Sequence, residues 1–142
     1  MQISEHYSAY EHETLIVVTN NESAKIFRAK DHTIDEVNLL LIQKPEIQGR
    51  GSGTPNDGPP DIDEIKNSLR LALYKNLSDY LLREVEANRE LDIVLCAPEA
   101  HKVEIQDAMH ADVAARISAL VPKNLASLPT DQIIRILQEH RS

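Results

Sequence analysis

The 142-residue sequence predicts an α/β domain with a mixed five-stranded sheet, element order β-β-β-α-β-α-β-α, and helices on both faces. Three observations predict it. Apolar runs broken by short polar turns fill residues 15–43, the pattern of an antiparallel meander. A long stretch with apolar residues at three- and four-residue steps follows over residues 61–87. Two further short apolar runs then alternate with helical stretches, as in right-handed βα crossovers.

The first strand is Leu15-Ile16-Val17-Val18-Thr19, stopped by the turn pair Asn20-Asn21. Residues 1–13 before it are mostly polar, with Tyr7 and Tyr10 as the aromatic side chains, and read as a loosely held extension to a single domain over residues 14–142. The second strand covers about Ala24–Ala29. After the turn at Asp31-His32, a third runs from Ile34 to Gln43. Asp61 is placed to cap the long helix, and Glu64 completes a capping box. Ile62, Ile65, Leu69, Leu73, Leu77, Tyr80 and Leu81 then mark one apolar face through Ala87. At 1.5 Å per residue that helix is about 40 Å long.

Leu91–Ala97 is the fourth strand, with the apolar run expected of a buried parallel position. Pro98 suits the first turn of a helix reaching His110, with Ala100, Val103 and Met109 facing inward. Ile117–Val121 is the fifth strand. The last helix starts near Pro129-Thr130 and carries Ile133, Ile134, Ile136 and Leu137. This order of elements is the ribonuclease H-like arrangement.

One segment breaks the pattern. All four glycines (49, 51, 53 and 58) fall within ten residues, and Pro45, Pro55, Pro59 and Pro60 crowd the same stretch. Neither a helix nor a central strand passes through such a segment, so residues 44–60 read as a loop. Function often sits on loops held out by a rigid scaffold, which makes Gln48, Gly49, Arg50, Gly51, Ser52 and Gly53 candidate contact residues. Arg50 is the side chain there best suited to bidentate phosphate contact. Lys123-Asn124, between the fifth strand and the last helix, is a candidate accessory contact. The plainer reading is a connecting loop anchored by Leu125 and Leu128.

Composition limits the function. No run approaches the roughly 20 apolar residues needed to span a bilayer, so no membrane insertion is expected. Cys96 is the only cysteine and has no internal partner, and the N-terminus lacks an export pattern. Both suit a cytoplasmic protein. The net charge of −8 argues against sequence-blind binding to polyanions and favours basic protein partners.

Enzyme chemistry finds little support. A two-metal nuclease needs converging carboxylates, yet the first strand has no acid and Asp92 lies at the far end of the fourth strand from Cys96. The glycine segment matches neither a phosphate loop nor a dinucleotide fingerprint. Nothing resembles GxSxG, and the six histidines are scattered without metal-ligand spacing. No metal and no cofactor is expected.

Ile16-Val17-Val18-Thr19-Asn20-Asn21-Glu22-Ser23-Ala24-Lys25-Ile26-Phe27 resembles the opening of the bacterial host-attachment protein family. Leu91–Pro98 is similar to its central strand with trailing Ala-Pro. Val121-Pro122-Lys123-Asn124-Leu125-Ala126-Ser127-Leu128-Pro129 is similar to its Pro-Lys-Asp-Leu-Thr-x-Leu-Pro stretch. The likeness spans about residues 14–138. That family in turn resembles the central domain of archaeal and eukaryotic peptide-chain release factors and the ribosome-rescue protein Pelota.

The resemblance implies a translation-linked role. In release factors a Gly-Gly-Gln tripeptide on a mobile loop positions water against the peptidyl-tRNA ester. Here the corresponding loop reads Gln48-Gly49-Arg50-Gly51 and lacks the tripeptide. The expectation is therefore a non-catalytic, release-factor-like domain that meets the ribosome, tRNA or rRNA through residues 48–58. The alternative is a cytoplasmic protein-interaction module linked to host or surface attachment. Exposed sheet edges also allow a homodimer.

Overall fold

A computed structural model describes residues 1–42 and 62–141. The strands are β1 (Tyr10–Thr19), β2 (Ser23–Asp31), β3 (Thr33–Leu41), β4 (Asp92–Cys96) and β5 (Ile117–Val121). The helices are α1 (Ile62–Ala87), α2 (Lys102–Asp107), α3 (Ala111–Ala114) and α4 (Thr130–Arg141). The strands form one sheet in the order β3-β2-β1-β4-β5, antiparallel across β3-β2-β1 and parallel across β1-β4-β5. This is the mixed, ribonuclease H-like α/β architecture that the order of elements predicts.

Local chemistry explains the meander turns. The Asn20 side-chain oxygen accepts from the amides of Glu22 (2.8 Å) and Ser23 (2.7 Å), closing the β1–β2 turn without a glycine. Asp31 supplies the left-handed residue of the β2–β3 turn at φ 53°, a conformation that aspartate tolerates better than most side chains.

Strand alternation divides the core between two faces. Leu15, Val17, Ile26, Ile93 and Leu95 point toward α1, α2 and α3, where Tyr74, Leu77, Leu81, Ile105 and Val113 meet them. Ile16, Val18, Phe27, Cys96 and Val121 point the other way, onto Ile133, Ile134 and Leu137 of α4. No residue of α1 from Asp63 to Ala72 is buried; its core contact begins at Leu73.

Three expectations need correcting. The opening residues are held, not loose: Gln2 bridges Thr33, Ile3 is buried, and β1 begins at Tyr10 rather than Leu15. Gln138 of α4 fastens the same segment by exchanging hydrogen bonds with the Ser8 backbone (3.1 and 3.2 Å). The segment from Pro98 to His110 is not one helix. It is a 3-10 turn at Glu99–His101 and the short α2, with α3 following His110. Consequently Ala100 and Val103 face solvent while Ile105 and Met109 point inward. The third strand ends at Leu41, and the capping residue Asp61 lies outside the described residues.

Candidate functional site

The end of the sheet where the parallel strands β1, β4 and β5 finish is the candidate site. In open α/β sheets, ligands favour the carboxyl ends of the strands. Leu41, which pairs with Ser23 at the β1–β2 turn, and Ile42, the last described residue before position 43, lie at this end. A backbone bond there runs from the Ile42 amide to the Glu22 carbonyl at 2.9 Å. Gln48, Gly49, Arg50, Gly51, Ser52 and Gly53, with Lys44, lie outside the described residues.

Lys123 and Asn124 emerge at the same end, beyond Val121, which pairs with Cys96. Both are exposed, while Leu125 is buried beneath them, as an anchored connecting loop requires. They follow β5 at one edge of the sheet, whereas Ile42 follows β3 at the other. Four strand spacings separate the two, or about 19 Å. Arg28 is not part of this end. It pairs with Leu15 near the start of the parallel strands.

Arg28 is also occupied. Its guanidinium binds Glu13 on β1 and donates to Glu84 on α1 at 3.0 Å, and Asn88 donates to Glu13 at 2.8 Å. Burial opposes the Arg28 charge, but the hydrogen bonds to the two carboxylates outweigh it and leave its pKa raised. The Arg28 hydrogen bond holds the Glu13 carboxyl below the usual range. This network ties the far end of α1 to the sheet.

A second pair, nearer the candidate site, ties α1 to α2. Arg70 of α1 grips Glu104 of α2 with two hydrogen bonds, 2.7 and 3.1 Å, and the Arg70 side chain is only 11% exposed. Hydrogen bonding to Arg70 lowers the Glu104 pKa, and the same contact raises that of Arg70. One turn along α1, the Tyr74 hydroxyl is buried without a hydrogen-bond partner among the described residues, and burial raises its pKa. Sequence patterning did not point to this cluster. The spacing of Arg70 and Tyr74 shows that they share a helix face, but nothing local reveals that Glu104 lies opposite.

The interior of the site holds no activated thiol. Thr19 donates its hydroxyl to the Cys96 carbonyl at 3.0 Å, and burial pushes the Cys96 thiol up to about 12, far from a nucleophilic thiolate. Among the described residues no three His, Cys, Asp or Glu side chains gather in metal-binding geometry. A groove of about 430 Å³ lies at the opposite end, lined by Ser8–His12, Thr14 and Asp92. Its Thr14 hydroxyl donates to the His12 carbonyl at 3.0 Å, and Asp92 faces Arg116 at 3.6 Å.

The model of bacterial archaeo-eukaryotic release factor family 12 matches residues 13–137. The chain belongs to that family. No curated protein matches the sequence. Among solved structures, this family 12 chain is similar to the archaeal translation termination factor aRF1, with a TM-score of 0.54 and 11% identity. The match covers 91% of this chain and 40% of that one, so the chain spans well under half of the factor's length. At that identity the likeness is one of fold. Ile16–Phe27, Leu91–Pro98 and Val121–Pro129 resemble the host-attachment family; of that expectation the family model bears out the release-factor relationship, and not the host-attachment name. No described helix is long and apolar enough to cross a membrane.

Proposed function

We propose that this family 12 chain is a non-catalytic, release-factor-like domain that associates with the ribosome, or with structured tRNA or rRNA, through residues 48–58. Membership of a release-factor family over residues 13–137 carries the reading. The sequence adds two supports: Arg50 offers a phosphate contact, and the Gly-Gly-Gln tripeptide is absent. Lys123 and Asn124 make an accessory contact at the same end of the sheet. The protein works in the cytoplasm and needs no cofactor for this role.

Sedimentation of tagged protein through a sucrose gradient tests the proposal. Co-migration with ribosomal particles at low salt, lost on combined replacement of Gln48, Arg50 and Ser52 by alanine, is the expected result. Protein confined to the top of the gradient, in growing and in starved cells alike, defeats it.

The net charge of −8 favours a second reading, a module that docks basic protein partners in host or surface attachment. The separation of Arg28 from Lys123, and the use of Arg28 by two carboxylates, also argue for it. A pull-down dominated by non-ribosomal proteins and unchanged by nuclease distinguishes this reading from the first.

A further inference from the structure

Three of the six large apolar side chains exposed among the described residues sit on one edge strand. Val37, Leu39 and Leu41 of β3 are 43%, 46% and 60% exposed. Leu39 and Leu41 lie across from Lys25 and Ser23 on β2, on the sheet face that α4 covers elsewhere. β3 has β2 on its inner side and, among the described residues, no strand along the upper part of its outer side. The lower part is taken. Met1–Ile3 pairs there through Ile34 N–H to Met1 C=O and Ile3 N–H to His32 C=O, both 2.8 Å. The chain's own N-terminus therefore demonstrates that this edge accepts an added strand, and its coverage stops at Ile34.

We infer that the open part of β3 pairs antiparallel with β3 of a second copy of this chain, about a two-fold axis at Leu40, joining two five-stranded sheets into one. Hydrogen-bond direction selects the register. The Ile42 amide points inward to the Glu22 carbonyl, so by strand alternation Leu39 and Leu41 turn their amide and carbonyl groups outward. With Leu40 opposite Leu40, each Leu39 faces a Leu41, and both pairs exchange N–H and C=O groups. The side chains match as well: leucine meets leucine on both faces, as a self-complementary two-fold contact demands.

Charge placement favours a copy of this strand over another peptide. The open stretch Val37-Asn38-Leu39-Leu40-Leu41-Ile42 carries no charge, so a charged segment gains no ion pair on it. Asp35 and Glu36 precede the stretch, and in this register each lies beyond the partner's Ile42, away from the partner's acids. The partner strand and Met1–Ile3 then lie end to end along the same edge without overlap.

Two features keep the contact weak. The bulge opposite Ile26 and Phe27 twists the strand, and the Asn38 side chain already accepts from the Leu39 amide at 2.8 Å and must be displaced. A single strand pair also buries less than the roughly 1,200–2,000 Å² of a standard interface. The dimer therefore forms in the micromolar-to-millimolar range.

Sedimentation equilibrium on the full chain from about 5 μM to about 1 mM tests it. The expected mass climbs from one copy toward two. The double variant Leu39→Lys/Leu41→Lys remains a single copy throughout, while Val103→Lys, on the exposed face of α2, associates as the wild type does. Under mild oxidation Leu40→Cys forms a covalent dimer, because opposed residues of a non-hydrogen-bonded pair stand about 4.5 Å apart at Cα. Cys96 is fully buried and does not compete. A wild type that stays a single copy at every concentration overturns the inference. So does a double variant that still associates, or a Leu40→Cys chain that cross-links no faster than Leu71→Cys.

Discussion

Tyr74 and Cys96 show how burial separates inert polar groups from useful ones. The Tyr74 hydroxyl is buried and, among the described residues, without a hydrogen-bond partner, so it bears a desolvation cost that its aromatic ring does not. Tyr74→Phe keeps the ring and removes the cost. The variant is expected to equal the wild type or exceed it by up to about 1 kcal/mol in urea unfolding. A loss beyond about 1 kcal/mol would show that the hydroxyl has a partner. Cys96 lies under α4 at 0% exposure with its pKa near 12, so a thiol reagent reaches it only when the chain opens. At pH 8 labelling is expected to be slow in buffer and complete in denaturant. Rapid labelling of the folded chain would contradict the assigned burial.

At the scale of elements, the N-terminal segment carries the sharpest consequence. Ile3 is 7% exposed, Gln138 grips Ser8, and His32 meets the Tyr7 carbonyl at 2.9 Å. Deleting residues 1–9 is expected to cost about 2–4 kcal/mol, chiefly through the lost burial of Ile3 and the broken Gln138 contacts. Thermal unfolding reads this directly; an unchanged midpoint would restore the loosely held extension that the sequence suggests. The sequence does not reveal this hold, because Ile3, Tyr7 and Tyr10 show no strand alternation and their partners on β3 and α4 are distant in sequence. Where patterning is dense, the reading holds to the residue. Ile117–Val121 stands out between Arg116 and Pro122, and α1 ends at Ala87 as its apolar face does. Between Pro98 and Ala114 the apolar positions fit one helix as well as three short turns, and only packing of Ile105 and Met109 against α1 decides. At the candidate site the sequence located the Lys123-Asn124 loop and its Leu125 anchor. It was silent on Arg28–Glu84 and Arg70–Glu104, whose partners lie dozens of residues apart.

The whole molecule hangs on how α1 is fastened, since its first turns contribute no buried residue. Arg70 binds Glu104 near one end of the helix, and Arg28 joins Glu13 and Glu84 near the other. Glu13 and Glu104 are both shifted below their ordinary 4.5. The sign follows from proton linkage. As pH falls through 4.5 the unfolded chain takes up protons before the folded one, so the stability these pairs supply is complete above 4.5 and drains away below it. A second effect acts over the same range: below the sequence pI of about 5.2 the chain is net positive, and further acid adds to its self-repulsion. The double variant Arg28→Met/Arg70→Met separates the two, because it keeps the acidic surface and loses both guanidinium partners. The wild-type urea midpoint is expected to fall steeply as the pH drops below about 4.5. The variant should start lower at pH 7, by about 1–3 kcal/mol, and lose less on acidification. Two profiles that fall in parallel would mean that the surface charge, and not these two clasps, governs the acid limit of the fold.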